Sequence, residues 1–246
     1  MMSKQLRYRI PEAELRKKLE AHERWLDTMW QLSDRGKTLP EDWTGQEDNG
    51  PGACLDLSYT DLSDVDLSGK RLCFANFDSA SLSGVNLQGA DLFGAYMPTA
   101  KLYNVDLFGA DLRDVFMPNA DLFHVNLSRA VLMSATLDQS SFCNVRFCKA
   151  VLSGASLIHT TAGLVDFSEA NLMHVDLRYI NWSLVDLSHA NLMGADLSKA
   201  QLRTPTIVDT NMHGVNLSDA DIQAVVCEGD KDKHGYEFLL AHLRNK

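Results

Sequence analysis

The chain has 246 residues, with 33 Asp and Glu against 23 Lys and Arg, and a formal net charge of −10. That acidity speaks against direct binding of nucleic acid, because phosphate contacts need clustered positive charge. The opening MMSKQLRYRI lacks the apolar core of a signal peptide, and no apolar run approaches the roughly 18 residues of a membrane span. Cys54, Cys73, Cys143, Cys148 and Cys227 are odd in number and contain no CxxC pair. They read as reduced thiols in a cytoplasmic protein without membrane segment, metal or cofactor.

The first predicted element is a helix. IPEAELRKKLEAHERWLDTMWQL carries Pro11 near its start and apolar residues at Leu15, Leu19, Leu26 and Met29, with Trp25 and Trp30 widening the apolar face. RGKTLPEDWTGQEDNGPG follows, and its Gly, Pro and acid content marks a linker. Residues 1–53 are therefore read as a helix plus polar linker.

Residues 54–226 repeat a five-residue word. VNLQGADLFGA, at 85–95, shows it twice: a small residue, then Asp or Asn, then Leu, then two variable positions. Counting by five from Leu57 to Ile222 gives 34 slots, of which Leu fills 23 and other large apolar residues all the rest except Ala162. Period five suits neither a helix nor a flat strand. It suits a coil of four sides, one word per side, in which every central residue points into one shaft. Such a coil predicts a second period of 20, and three pure columns carry it. Val65, Val85, Val105, Val125, Val145, Val165 and Val185 form the first. Ala90 through Ala190 and Leu72 through Leu192, each stepping by 20, form the others. Close-packed interiors require such matching of size.

The words ADLFG, VNLQG, ADLSK and VDLSH resemble the pentapeptide repeat family over residues 55–226. The resemblance implies a right-handed, four-sided β-helix; the stacked coil follows from the columns, the handedness from the resemblance alone. The expected class is an all-β solenoid of about eight coils, with an N-terminal amphipathic helix. GYEFLLAHLRNK supplies a short C-terminal helix, so that 227–246 caps the other end. Two places strain the pattern. Ala162 leaves space in the shaft, which Leu164 is expected to fill by swinging inward. Pro205 implies either an irregular corner or a tolerated proline on a regular coil.

No catalytic constellation appears: inward residues are aliphatic, and Asp or Asn before each centre suits turns that bond nearby amides. Function is therefore expected on the outer surface. Phe93, Tyr96, Tyr103, Phe108, Phe116 and Phe123 fall in outward slots within about two coils, an apolar patch for a protein partner. The N-terminal helix folding back over the patch, or a homodimer, would also account for it. The second feature is an acidic ladder, Asp66, Asp106, Asp166 and Asp186, interrupted by Arg146. Through the family resemblance it implies a DNA mimic whose partner is DNA gyrase, a type II topoisomerase. The first reading is a non-catalytic binding scaffold; the DNA mimic and a structural subunit of a larger assembly are the alternatives.

Overall fold

The computed structural model describes residues 8–32 and 54–227. The linker and the predicted C-terminal helix lie outside the described residues. The repeat winds into a parallel β-solenoid. Its coils are joined by four ladders, each stepping by 20 residues. Asp56, Asn76, Tyr96 and Phe116 begin the first side; Asp61, Ser81 and Lys101 the second; Asp66, Asn86 and Asp106 the third; Arg71, Asp91 and Asp111 the fourth. On the second side the bridges lengthen into a seven-stranded parallel sheet. Its members are β3 (Lys101–Tyr103), β4 (Asp121–Phe123), β5 (Ser141–Arg146), β6 (Thr161–Asp166), β7 (Asn181–Asp186), β8 (Gln201–Arg203) and β9 (Asp221–Gln223). The other coils hold through single bridges, so the extended sheet is shorter than the eight or so coils that the repeat arithmetic implies.

Most corners are four-residue turns. Lys70 N–H bonds the Leu67 carbonyl at 3.2 Å, and Gly69 between them has φ +61°. A positive φ at the third residue is the demand of type II geometry. The slot recurs every five residues, and Asn, Asp, Ser and Gly often fill it. At Gly94 glycine is obligatory on a second count, since a Cβ there would meet the Phe74 ring at 2.7 Å. Pro205 proves compatible with a regular coil. Its carbonyl accepts Val226 N–H at 2.8 Å, and β8 stops two residues before it.

The shaft is apolar, mostly aliphatic with a few aromatic rings. The Leu72 to Leu192 and Ala90 to Ala190 columns are buried throughout. Leu164 corrects the sequence expectation: it is 59% exposed and does not enter the shaft, where Ala162 remains buried. The space beside Ala162 is shared out by the next coil. Trp182 sits directly below it in register. Its indole stacks on Phe167 at 5.2 Å and donates to Thr160 Oγ1 at 3.0 Å. Phe167 in turn stacks on Phe147 at 4.6 Å. A small residue in one coil is thus balanced by the largest residue in the next.

The N-terminal segment caps the first coil. A short strand that the periodicity did not announce, β1 (Tyr8–Arg9), pairs in parallel with β2 (Thr60–Asp61). Helix α1 (Glu12–Leu32) follows, its first turn closed by the Pro11 carbonyl, which accepts Glu14 and Leu15 N–H groups. The helix lies across the solenoid's end. Leu15 joins the shaft core, and Trp25 and Leu26 pack with Cys73 and Phe74. Lys18 Nζ donates to the Asp56 carbonyl at 2.9 Å, and Arg71 bridges Glu23 and Asp27 at 2.8 and 2.7 Å. His22 is buried between the two parts and accepts Leu55 N–H on Nδ1 at 3.2 Å. Burial chiefly, with the nearby Arg71 charge, pushes its pKa down to about 4, against a smaller opposing effect of the Cys73 backbone.

Two predictions follow from this packing. Trp182→Leu removes a fully buried indole and its hydrogen bond to Thr160, so it should cost about 3 kcal/mol in urea unfolding. Adding Ala162→Leu should recover part of that loss, although Ala162→Leu alone, by overpacking, should destabilise by about 1–3 kcal/mol. For His22 the folded pKa is depressed, so the unfolded chain binds the proton more readily. Its contribution is fully present above about pH 6.5 and is lost as pH falls toward 4. Urea midpoints measured across that window should fall more steeply for the native chain than for His22→Leu.

Candidate protein-docking site

The four ladders decide which of the predicted rings belong together. Tyr96 and Phe116 are bridge partners on the first side; Tyr103 and Phe123 are register partners on the adjoining second side. Tyr96 and Phe116 stack at 5.4 Å with their planes 9° apart. Tyr103 and Phe123 meet edge to face at 6.4 Å. These geometries are the preferred aromatic pairings and hold the rings in fixed positions. Tyr96, Phe116 and Phe123 remain 46%, 42% and 43% exposed. Pro98 and Pro118 lie between the two columns in the chain. A shallow groove of about 410 Å³ runs beside Tyr103, Phe123 and Cys143. His124 stands edge-on to Phe123 at 4.1 Å and is tied to Asn144 at 2.6 Å.

Two of the six predicted rings fall elsewhere. Phe108 is on the third side, under the Arg129 guanidinium at 5.8 Å. Phe93, on the fourth side, packs edge-on against Phe74 at 5.3 Å, within the cluster formed by Trp25 and Leu26. Helix α1 therefore reaches Phe93 but leaves Tyr96, Phe116 and Phe123 open. It does not fold back over the patch.

Other exposed apolar residues were not expected at the surface from the sequence. Leu164 and Leu184 stand 20 residues apart at corners of β6 and β7, with φ of +57° and +54° and exposures of 59% and 54%. A left-handed conformation costs a branched L-residue about 1–2 kcal/mol, and exposed leucine recovers nothing by burial. Two such residues in a slot suited to Asn or Gly were the available signal. Lower on the first side, Tyr179 is 42% exposed, stacks on His159 at 4.7 Å and lies 5.2 Å from Lys199 Nζ.

The acidic residues do share one ladder. Asp66, Asp106, Asp166 and Asp186 all lie on the third side. Each Oδ1 accepts the backbone N–H two residues on, at 3.0, 3.0, 2.8 and 2.9 Å. This is the local bonding that favours Asp at turns. Hydrogen bonding from Ser68, its backbone first, holds the Asp66 carboxyl below the usual range.

Reactive groups are scarce. All five cysteines are free, and burial pushes the Cys54 thiol up to about 12, where it is no nucleophile at neutral pH. Among the described residues no three potential metal ligands gather, and no helix is long and apolar enough to cross a membrane.

Comparison with known proteins agrees with the fold. The family model for pentapeptide repeats matches in eight copies, over residues 56–94, 100–139, 130–169 and 170–204. No curated protein matches the sequence significantly. Among solved structures, HetL, a pentapeptide repeat protein involved in heterocyst differentiation regulation from the cyanobacterium Nostoc sp. strain PCC 7120, is 25% identical. The match covers 71% of this chain and 83% of HetL, with a TM-score of 0.37. Full-length QnrB1, a plasmid-mediated fluoroquinolone resistance protein, is 16% identical over 74% of this chain and 96% of its own, with a TM-score of 0.49. A pentapeptide repeat protein from the Arabidopsis thaliana thylakoid lumen is 27% identical over 48% of this chain and 68% of its own, with a TM-score of 0.21. The family matches, counted once where they overlap, span 144 of 246 residues; with four ladders stepping by 20 beneath them, the chain belongs to the pentapeptide repeat family.

Proposed function

We propose that the chain is a non-catalytic protein-binding scaffold that docks its partner on the edge between the first and second sides. One observation carries this reading: two aromatic pairs, Tyr96–Phe116 and Tyr103–Phe123, are held on adjoining sides of a closed shaft, with Tyr96, Phe116 and Phe123 exposed and Tyr103 half-buried beside them. Clustered exposed aromatics mark contact surfaces in proteins generally. The rings are ordered by stacking before any partner arrives, so little side-chain entropy is lost on docking. Leu164 and Leu184 extend the apolar surface down the second side at a cost in backbone strain, which supports a use for them.

The acidic ladder offers the second reading, a DNA mimic acting on a type II topoisomerase such as DNA gyrase. Its charge density ranks it lower. Four Asp and Arg146 leave three net negative charges between residues 66 and 186, which are six coils apart. At about 4.8 Å per coil that is about one charge per 10 Å, whereas a duplex carries one per roughly 1.7 Å.

The test compares three baits in a bacterial lysate: the native chain, the Tyr96→Ser, Tyr103→Ser, Phe116→Ser, Phe123→Ser variant, and the Asp66→Lys, Asp106→Lys, Asp166→Lys, Asp186→Lys variant. The scaffold reading expects the partner to be lost from the serine bait and kept by the lysine bait, with little dependence on salt. Loss from the lysine bait alone, steepened by salt, would favour the mimic instead.

A further inference from the structure

The cap leaves one side of the first coil unfinished. In the third-side ladder Asn86 donates to the Val65 carbonyl at 3.1 Å and accepts Leu67 N–H at 2.8 Å. In a parallel ladder the backbone N–H and carbonyl of Asp66 then face the opposite way, toward the N-terminal end. Neither makes a hydrogen bond among the described residues. The other sides are engaged there by the N-terminal segment. The Asp56 carbonyl takes Lys18 Nζ, Asp61 pairs with Arg9 of β1, and Arg71 binds Glu23 and Asp27.

Beside Asp66 a groove of about 990 Å³ runs between α1 and the coil. Its floor is apolar. Leu19 and Val65 are only half-buried there, whereas Val85, one coil further along the same column, is closed. Six carboxylates against three bases line the groove. A free backbone donor and acceptor, an apolar floor and an acidic rim fit a particular ligand. That ligand is an extended backbone carrying alternate basic and apolar side chains. The chain shows the mode itself, because β1 adds a strand to the neighbouring side.

We propose that this groove binds an extended basic peptide of a partner protein, which adds one rung to the third side through the Asp66 backbone and seats an apolar side chain on Leu19 and Val65. This is strand addition at a sheet edge, with main-chain bonds giving affinity and alternate side chains giving selectivity.

The probe is a capped heptapeptide of alternating Lys and Val, set against the same peptide with Glu for Lys, both titrated into the full chain by fluorescence anisotropy. The Lys peptide should bind at least about tenfold more tightly, a difference of about 1.4 kcal/mol. Asp66→Pro removes an N–H that serves no bond inside the coil, as edge prolines do, and should weaken the Lys peptide by about tenfold. Glu12→Lys with Glu20→Lys changes only exposed helix positions and should weaken it as well, so a misfolded proline variant does not decide the matter. The Asp66 amide should exchange rapidly in the free protein and slow on adding peptide. Equal binding of the two peptides, or unchanged affinity in the glutamate variant, overturns the proposal. So does an Asp66 amide already protected in the free monomer, which would mean that the chain fills its own groove. A dimer broken by Asp66→Pro would assign the groove to a second copy and overturn it too.

Discussion

Everything in this molecule depends on one register: residue n must lie over residue n+20. The backbone bonds set it, as Leu67 N–H reaches Asn86 and Asn86 N–H reaches Val65, and so on down every side. Once it is set, each inward side chain meets the same neighbours above and below, so its size is fixed by its column. A shaft about one leucine wide admits no polar group without a partner. The few inside are satisfied: Ser140 Oγ donates to the Met117 carbonyl at 3.0 Å and Thr210 Oγ1 to the Leu187 carbonyl at 2.8 Å. The same register turns every outward slot into a column, and that makes surface rows of like residues easy to build.

Because the interior is spent on packing, the sides are free to carry recognition, and the four sides differ. The third presents a dilute acidic row. The first and second share an aromatic edge, and the fourth is drawn into the cap through Phe74 and Phe93. The two proposed binding surfaces are physically separate. One lies on ordered rings along the middle coils, the other on the unfinished end beside α1. Helix α1 links them to stability: its buried His22 ties the cap's hold on the first coil to pH, while the middle coils rely on apolar columns and on the buried Phe147–Phe167–Trp182 stack.

Much of the fold was legible because two periods, five and 20, had to agree. The valine, alanine and leucine columns are strong signals, since chance does not keep one residue type at that spacing. Helix α1 was legible from Pro11 and its apolar stripe. Its resting place was not, because docking depends on single meetings such as His22 with Leu55 and Arg71 with Asp27, which have no period. Strand β1 is two residues long and announces nothing. Leu164 was misread because the vacancy at Ala162 was assigned to its own coil, when the indole of Trp182 reaches in from the next. The aromatic candidates were found, yet treated as one patch. The 20-residue frame already separates Phe93 and Phe108 from the other four, so that division was available in the numbering. The open backbone of Asp66 was beyond reach of sequence, because it depends on where the cap stops.

The most direct test of the account is hydroxyl-radical footprinting of the chain alone and bound to its captured partner. The account predicts loss of oxidation at Tyr96, Tyr103, Phe116 and Phe123, with Tyr179 and Met133 on other parts of the rod less changed. Protection concentrated along the third side, around Phe108 and its neighbours on the Asp66–Asp186 ladder, with the four rings still oxidised, would contradict it.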